Sequence, residues 1–249
     1  MSKQIALGGL SIVLGVALWA NAAEPKGKDW KANDRDRPLP KIVTPGEEPG
    51  QPPSDAIVLF DGKDLSKWVR VSAKGGPPKW RVQNGVMTVV PLTGSIQTKE
   101  SFGDCQLHIE WNTVKRSHSN SGVFFQGLYE LQIYDSYQNK NKIYADGVAG
   151  GMYGQHPPLV NACRPTGQWQ SFDVVFRAPR FSQDGKLLKP GTMTAFQNGV
   201  LVLNNAEIQG FTVHGKKAQY RPHPPKQPLL LQNHSNPVSF RNIWIRPLP

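Results

Sequence analysis

Cysteine is scarce in this chain, with only Cys105 and Cys163 among 249 residues. Two cysteines are too few for the disulfide framework that holds many small secreted domains together. A single bridge and a pair of free thiols both stay open, because Cys105 opens an apolar strand where a buried thiol serves equally well. A core of apolar side chains is therefore expected, and a domain of about 190–200 residues is large enough to form one.

The sequence also lacks long runs with helical periodicity and any internal repeat of solenoid or propeller length. Dinucleotide-binding loops, P-loops and nucleophile elbows are missing, which argues against enzymes built on those motifs. No short-spaced set of His, Cys, Asp or Glu forms a metal motif. We therefore expect no cofactor, while a divalent metal held by Glu, Asp and His side chains stays open.

Acidic residues are outnumbered, since 29 Lys and Arg stand against 18 Asp and Glu, for a formal net charge of +11. The basic residues do not cluster into the runs of about 5–8 that mark nucleic-acid patches. We therefore expect no nucleic-acid partner and interpret the charge as a solvated surface that tolerates polyanions.

The first 22 residues have the pattern of a targeting segment. Lys3 precedes the apolar stretch Ile5–Ala20, and Ala20-Asn21-Ala22 offers a cleavage site with small residues. An uncleaved membrane anchor fits less well, because glycines interrupt the stretch and it falls short of about 20 apolar residues. We expect a signal peptide over residues 1–22, no stable membrane insertion, and a periplasmic or secreted protein.

Residues 23–54 are rich in Pro and in charges of both signs, and they have few large apolar side chains. Such a segment cannot form a core of its own. It is expected to be a flexible tether, or an extended arm lying on the domain, that adds little stability. The folded domain is then expected over residues 55–249.

After Asp55, short apolar runs alternate with Gly, Pro, Asn and Asp, which is typical of all-β proteins. Asn84-Gly85 and Asn198-Gly199 each separate two strand-like runs, and Asn-Gly supplies the positive φ angles of a two-residue hairpin turn. Further strands are predicted at Ala56–Phe60, Ser95–Lys99, Cys105–Val114, Gly122–Gln126, Glu130–Asp135, Trp169–Ala178, Leu229–His234 and Phe240–Arg246. A jelly-roll β-sandwich of two antiparallel sheets buries this many short strands most simply.

Two of the predicted strands carry acids and amides opposite an apolar face. Successive side chains of a strand point to opposite faces. His108 and Glu110 therefore share one face of the strand Cys105–Val114, and Glu130 and Gln132 share one face of the strand Glu130–Asp135. A sheet face built to hold a polar ligand and an ordinary solvated outer face both fit this pattern.

The longest departure from the strand rhythm runs from Gln138 to Gln168. Tyr153, Gln155 and His156 stand among glycines in this stretch. Glycines let backbone approach a ligand, while aromatic and amide groups can contact it, so we interpret the stretch as a functional loop.

The chain resembles the 3-keto-disaccharide hydrolase family, whose fold is a concanavalin-like or laminin-G-like jelly-roll. The resemblance covers nearly all of Ala56–Leu248. The motifs that carry it are Leu59-Phe60-Asp61-Gly62-Lys63-Asp64-Leu65-Ser66-Lys67-Trp68, Trp80, Asn84-Gly85, Thr98-Lys99, Ile109-Glu110-Trp111, Asn120-Ser121-Gly122, Glu130-Leu131-Gln132, Tyr153-Gly154, Gly167-Gln168-Trp169, Asn198-Gly199 and Arg241-Asn242-Ile243-Trp244.

The resemblance implies cleavage of glycosides and disaccharides whose C3 hydroxyl has been oxidised to a ketone, with a separate sugar 3-dehydrogenase supplying that substrate. The ketone acidifies the C2 proton, so a base can remove it, the aglycone leaves from C1, and water adds afterwards. Such a route needs a base near C2, donors around the C3 oxygen and an acid for the leaving oxygen.

Glu130 is the leading candidate for the base, followed by Glu110 and then His234. The expected substrate-binding residues are His108, Asn120, Gln132, Tyr153, Gln155, His156 and Arg241. Each Glu could instead only bind sugar hydroxyls, and His234 could be a structural hydrogen-bonding residue or a metal ligand.

Two other functions stay open at this point. Glu110 and Glu130 could be the acid pair of a direct glycosidase, although they lie on different strands and show no Glu-x-Asp-x-x-Glu pattern. The chain could also be a non-catalytic carbohydrate-binding module, because the same aromatic and amide side chains serve both functions.

We expect signal peptidase to cleave after Ala22, so that the mature protein begins near Ala23. Intact-mass spectrometry of the exported protein measures this directly. Removal of Lys3 leaves 28 basic against 18 acidic residues in the mature chain. Recovery of the form that still carries Met1 from the membrane fraction would contradict the prediction.

Overall fold

The computed structural model describes residues 30–113 and 118–249. The predicted signal peptide, residues 1–22, lies outside the described residues, and its cleavage stays a prediction. Among the described residues, none belongs to a helix long and apolar enough to cross a membrane. The chain divides into one unit of residues 1–39 with Pro249 and a second, much larger unit of residues 40–248.

The second unit is built from β-strands joined by turns and two short 3-10 helices, Tyr137–Asn139 and Ala145–Gly147. The strands that the structure describes are β1 (Ile57–Phe60), β2 (Trp68–Arg70), β3 (Arg81–Gln83), β4 (Val86–Thr88), β5 (Ile96–Phe102), β6 (Cys105–Thr113), β7 (Asn120–Phe125), β8 (Tyr129–Tyr134), β9 (Gln170–Arg177), β10 (Arg180–Phe181), β11 (Leu187–Lys189), β12 (Thr192–Gln197), β13 (Val200–Glu207), β14 (Gln227–Leu231) and β15 (Val238–Pro247).

The strands form two main sheets. One has eight strands, with the order β13-β12-β9-β6-β15-β4-β3 and with β1 paired to β15, and the other has five, in the order β2-β5-β14-β7-β8. Strands β10 and β11 make a separate small ribbon. Every pairing is antiparallel.

A single apolar core contains side chains from both sheets. Phe125 of β7 and Phe176 of β9 meet across the two sheets, with ring centroids 4.8 Å apart. The alternation predicted for β6 is present, because Leu107, Ile109 and Trp111 are fully buried in this core. The predicted fold, a jelly-roll sandwich of two antiparallel sheets, is therefore confirmed.

Both predicted Asn-Gly hairpins are present. Asn84 and Gly85 have φ angles of 52° and 76° between β3 and β4, and Asn198 and Gly199 have φ angles of 53° and 81° between β12 and β13. Two successive positive φ angles fit the tight turn that matches the twist of paired strands.

The structure differs from the predicted strands at β14, which ends at Leu231 and not at His234. Asn233 turns the chain away from the ladder, because its Nδ2 donates to the Val90 carbonyl (2.8 Å) and its Oδ1 accepts the Ser235 N–H (3.0 Å). The short strands β2, β10 and β11 were not predicted, since two or three residues are too few to show an alternating pattern.

Both cysteines are free thiols. Burial raises the pKa of Cys105 far above its ordinary value. Cys163 lies against Ser136, whose Oγ is 3.2 Å from its sulfur, and burial raises its pKa as well. The bridge left open by the sequence is therefore not formed: Cys105 lies in the core, and the half-buried Cys163 packs against it.

The larger unit begins at Pro40, inside the segment 23–54 that the sequence sets apart as an arm. The Gly50 carbonyl accepts hydrogen bonds from Asn242 Nδ2 and Trp244 Nε1, both at 2.8 Å. Gly50 also covers the imidazole of His108, because a Cβ at Gly50 would lie 3.1 Å from that ring. Residues 40–54 therefore make specific contacts with the sandwich.

These contacts lead to a prediction about two shortened chains, one starting at Pro40 and one at Asp55. The second chain loses two hydrogen bonds to Gly50 and exposes parts of His108 and Trp244, at an expected cost of about 2–3 kcal/mol. For a domain of this size that corresponds to a melting temperature lower by about 4–12 °C. Calorimetry of both chains measures the difference, and equal melting temperatures would show that residues 40–54 contribute nothing.

Candidate active site

A pocket of about 240 Å³ opens on the five-stranded sheet. Strand β8 contributes Glu130 and Gln132, and β7 contributes Asn120 and Phe124. The other residues that line the pocket are Tyr153, Thr212, His214, Gln232 and His234. Its volume is below the range of about 300–1,000 Å³ that is typical of drug-sized ligands, so it suits a small ligand such as a single sugar ring.

Strand β8 lies at the edge of the five-stranded sheet and forms one wall of this pocket. The Gln132 N–H donates to the Gly151 carbonyl (2.9 Å), and the Gly150 N–H donates to the Gln132 carbonyl (2.9 Å). At the same edge, the Glu130 N–H donates to Thr212 Oγ1 (3.0 Å), and the Tyr153 N–H donates to the Glu130 carbonyl (3.2 Å). An edge strand otherwise exposes its backbone polar groups to solvent. Here two loops satisfy those groups, and all six residues of β8 are buried.

The carboxylate of Glu130 occupies space that a glycine leaves free. Gly122 of β7 faces Gln132 in the ladder, and a Cβ at Gly122 would collide with Glu130 Oε1 and would lie 2.9 Å from the Phe124 ring. Any other residue at this position would displace the carboxylate. The Asn120-Ser121-Gly122 motif therefore shapes the pocket through the side chain that it lacks.

Glu130 is 4% exposed, and its carboxylate has no hydrogen-bond partner among the described residues. Burial raises its pKa to about 8, because the charged form loses hydration that nothing in the protein replaces. A group whose pKa lies near neutral pH can both accept and release a proton in that range, which is the property required of a general acid or base.

Three amide side chains around Glu130 also have an oxygen atom that is buried without a partner. Among the residues that the structure describes, the atoms without a partner in this pocket are Asn120 Oδ1, Gln132 Oε1 and Gln232 Oε1. Buried polar atoms in folded proteins are almost always hydrogen-bonded, so several unpaired ones in a single pocket point to a ligand that carries hydrogen-bond donors.

A chain of hydrogen bonds joins Tyr144, Tyr153 and His214 at the rim. The Tyr153 hydroxyl bonds the Tyr144 hydroxyl and lies 2.6 Å from His214 Nδ1. Burial, and then the hydrogen bond from Tyr144, raise the pKa of Tyr153 well above its ordinary value. Tyr153 therefore keeps its proton at neutral pH and can donate or relay a hydrogen bond beside Glu130.

Five of the ten residues proposed from the sequence line this pocket: Asn120, Glu130, Gln132, Tyr153 and His234. His234 is exposed and lies on the turn after β14, not on the strand itself. Four further lining residues were not predicted from the sequence: Phe124, Thr212, His214 and Gln232. Thr212 and His214 belong to the connection between β13 and β14, which has no periodic pattern that could reveal its position.

Three other proposed residues lie on the eight-stranded sheet and line a different groove: His108, Glu110 and Arg241. Arg241 Nε donates to Glu110 Oε2 (2.6 Å), and Asn242 Nδ2 donates to Glu110 Oε1 (2.9 Å). Burial alone would raise the pKa of Glu110, but these bonds outweigh it and hold that pKa below its ordinary value. Glu110 is therefore a firmly ionised partner of Arg241.

The two remaining proposed residues bind the backbone at the end of β13 and at the start of the β13–β14 connection. Gln155 donates to the Gly210 carbonyl (3.1 Å) and accepts the Gln209 N–H (2.7 Å). His156 Nε2 lies 2.8 Å from the Glu207 carbonyl. Neither lines the Glu130 pocket, and both join the two loops that enclose it.

Metal-ligating side chains form no cluster in the described ranges 30–113 and 118–249. No group of three or more His, Cys, Asp or Glu there has a geometry that could hold a metal ion.

Jelly-roll sandwiches include lectin domains, although a fold alone does not determine a function. Residues 55–246 match the family described as the 3-keto-alpha-glucoside-1,2-lyase-like domain. This chain belongs to that family, and the resemblance drawn from its motifs is confirmed. A search of curated proteins finds no match.

Solved structures support the same assignment. The chain is 43% identical to a candidate glycosyl hydrolase from Parabacteroides distasonis ATCC 8503, with 90% of this chain and 100% of that chain covered and a TM-score of 0.79. A second candidate glycosyl hydrolase from the same organism is 20% identical over 78% of this chain and 94% of its own, with a TM-score of 0.58, and shares the fold. The family match and the 43% identical structure support a carbohydrate-active function.

The raised pKa of Glu130 predicts a pH-dependent gain in stability for Glu130→Gln. The folded state holds the Glu130 proton up to about pH 8, whereas the unfolded chain releases it near the ordinary value of 4.5, so the parent loses stability between those values. The variant should be more stable by roughly 2–5 kcal/mol above pH 8, and the gap should close towards pH 4.5.

Urea unfolding of parent and variant at several pH values measures this gap. Glu100→Gln is the matched control, because Glu100 is exposed on β5 of the same sheet. A gap that is equally large at pH 5 and pH 8.5 would show that Glu130 ionises normally.

Proposed function

We propose that this protein is an exported enzyme that cleaves 3-keto-glycosides and 3-keto-disaccharides, with Glu130 as the base that removes the C2 proton. The observation that carries the proposal is the buried, unpartnered carboxylate of Glu130 among three amide oxygens that also lack partners. Membership of the 3-keto-alpha-glucoside-1,2-lyase-like family supports the choice of substrate.

The chemistry follows from the ketone at C3. Glu130 takes the proton from C2, and the electron pair of that C–H bond forms a C2=C3 double bond with negative charge on the C3 oxygen. The ketone then reforms, a C1=C2 double bond appears, and the bond from C1 to the aglycone oxygen breaks. Addition of water at C1, with return of a proton to C2, completes a net hydrolysis.

A desolvated carboxylate suits the first of these steps. Outside the pocket, a hydrated Glu is too weak a base to compete for a proton on carbon. With a pKa of about 8, Glu130 binds a proton far more strongly, and about a tenth of it is still ionised at pH 7. The amides of Asn120, Gln132 and Gln232 would hold the sugar hydroxyls and so fix C2 near the base.

The leaving oxygen and the C3 oxygen both need proton or hydrogen-bond donors. His234 lines the pocket, and so does the bonded pair of Tyr153 and His214. We assign protonation of the leaving oxygen to the Tyr153–His214 pair, which lies beside Glu130, and stabilisation of the C3 oxygen to His234.

These steps move protons and break one carbon–oxygen bond without net oxidation. The reaction itself therefore needs no redox cofactor. The ketone has to be made beforehand, and we propose that a separate sugar 3-dehydrogenase supplies it. We further propose that the protein acts in the periplasm or outside the cell, with a glycoside or oligosaccharide as its only partner in the reaction.

Glu130→Gln is expected to lower kcat on a 3-keto-disaccharide by roughly 10²–10⁴, because the amide keeps the shape of the carboxylate but cannot accept a proton. The Kd of the substrate should change little. The measurement is sugar release from the 3-keto-disaccharide and from its unoxidised parent, which should not be cleaved.

Glu100→Gln serves as the control and should cleave at the parent rate, since Glu100 is exposed away from the pocket. Equal turnover by Glu130→Gln and the parent would exclude Glu130 as the base, and loss of turnover in Glu110→Gln instead would move the site to the other sheet. Sugar binding without turnover in any form would identify a carbohydrate-binding module.

A further inference from the structure

A second polar groove, of about 360 Å³, lies on the eight-stranded sheet. Its lining includes Arg164, Trp169, Asp173 and Arg241, together with Glu110. None of these residues lines the Glu130 pocket. The chemistry assigned to Glu130 leaves this groove without a function.

The side chains of the groove are held in place by one another. Asp173 Oδ1 accepts a hydrogen bond from His108 Nδ1 (2.6 Å), and His108 is 3% exposed and stacked on Trp244 with ring centroids 5.4 Å apart. On the opposite side, Arg241 bonds Glu110 at 2.6 Å. Side chains fixed in this way lose little entropy when a ligand binds.

An aromatic surface adjoins these charges. The guanidinium of Arg241 lies over the Trp169 ring, 4.2 Å from its centroid, and Arg164 Nη1 donates to the Trp169 carbonyl (3.2 Å). The Arg241 guanidinium therefore covers one face of the indole, and Arg164 holds the backbone of the same residue. A planar apolar surface beside fixed donors is the combination found in sites that bind polar, ring-shaped ligands.

Several groups in the groove have hydrogen-bonding capacity left over. Arg241 uses only Nε for Glu110, and Asp173 uses only Oδ1 for His108. Within the part of the chain that the structure describes, both terminal nitrogens of Arg241 and the Oδ2 of Asp173 have no protein hydrogen-bond partner. The groove therefore offers donors and acceptors side by side.

The charges of the groove select the class of ligand. Two arginines, Arg164 and Arg241, stand against two carboxylates, Glu110 and Asp173, so an anion or a cation would meet repulsion as well as attraction. A hydroxyl group both donates and accepts, and neighbouring hydroxyls can bridge an arginine and a carboxylate. An uncharged sugar matches this alternation better than an ionic ligand does.

We propose that this groove is a second, non-catalytic carbohydrate site that binds a neutral pyranose unit between Arg241 and Asp173, against Trp169. The inference rests on the carbohydrate-active character of the family and not on the 3-keto chemistry. A site on the opposite sheet could hold one part of a glycan or a second molecule while the Glu130 pocket acts independently.

The test is a titration of the mature protein with cellobiose, followed through the indole N–H resonance of Trp169 in an isotope-labelled sample. The resonance should shift and saturate with a Kd of about 1 mM. Arg241→Met keeps the aliphatic stem over Trp169 but removes the donors, so it should weaken binding at least about fivefold. Arg81→Met, on β3 of the same sheet, is the matched control and should bind as the parent does.

Glucuronic acid and glucosamine, titrated in the same way, test the class of ligand and should bind more weakly than cellobiose. A Trp169 resonance that does not move with cellobiose, or an unchanged Kd in Arg241→Met, would overturn the proposal. If Arg241→Met does not fold, Arg164→Met replaces it with the same expected loss. None of these measurements depends on turnover, so failure of the 3-keto reaction would leave their outcome unaffected.

Discussion

The buried carboxylate of Glu130 is the constraint on which the five-stranded side of the molecule depends. A carboxylate loses a large hydration energy on burial, and here no hydrogen bond replaces it. The folded state tolerates the lost hydration of this carboxylate because other interactions hold the pocket around it in place. The loop around Gly151 pairs with the edge of β8, Thr212 caps the Glu130 N–H, and Gly122 leaves the space that the carboxylate fills.

The same strand geometry produces a different result on the eight-stranded sheet. Glu110 also lies on the outer face of a strand beside a histidine, yet Arg241 and Asn242 neutralise and bond its carboxylate. Its pKa is lowered whereas that of Glu130 is raised. Two carboxylates whose pKa values shift in opposite directions suit different functions. An ionised, paired carboxylate can bind and orient a ligand, whereas an unpaired, desolvated one can exchange a proton.

Local sequence patterns were enough to predict the sandwich because its main signals are local. The Asn84-Gly85 and Asn198-Gly199 turns need positive φ angles that few other residue pairs supply, and strand alternation separates core from surface within a few residues. The true end of β14 escaped prediction for the opposite reason. It is set by a distant partner, because Asn233 bonds the Val90 carbonyl.

The site was predictable only in part, because alternation assigns a side chain to a face but does not tell which sheet the face belongs to. Glu110 and Glu130 have the same pattern in sequence, and only the strand order separates them onto different sheets. His214 had no pattern at all, since a loop brings it to Tyr153 from 61 positions along the chain. Residue type therefore identifies the groups that are capable of chemistry. The pairing of strands and the positions of loops decide which of those groups share a pocket and which lose their hydration on burial.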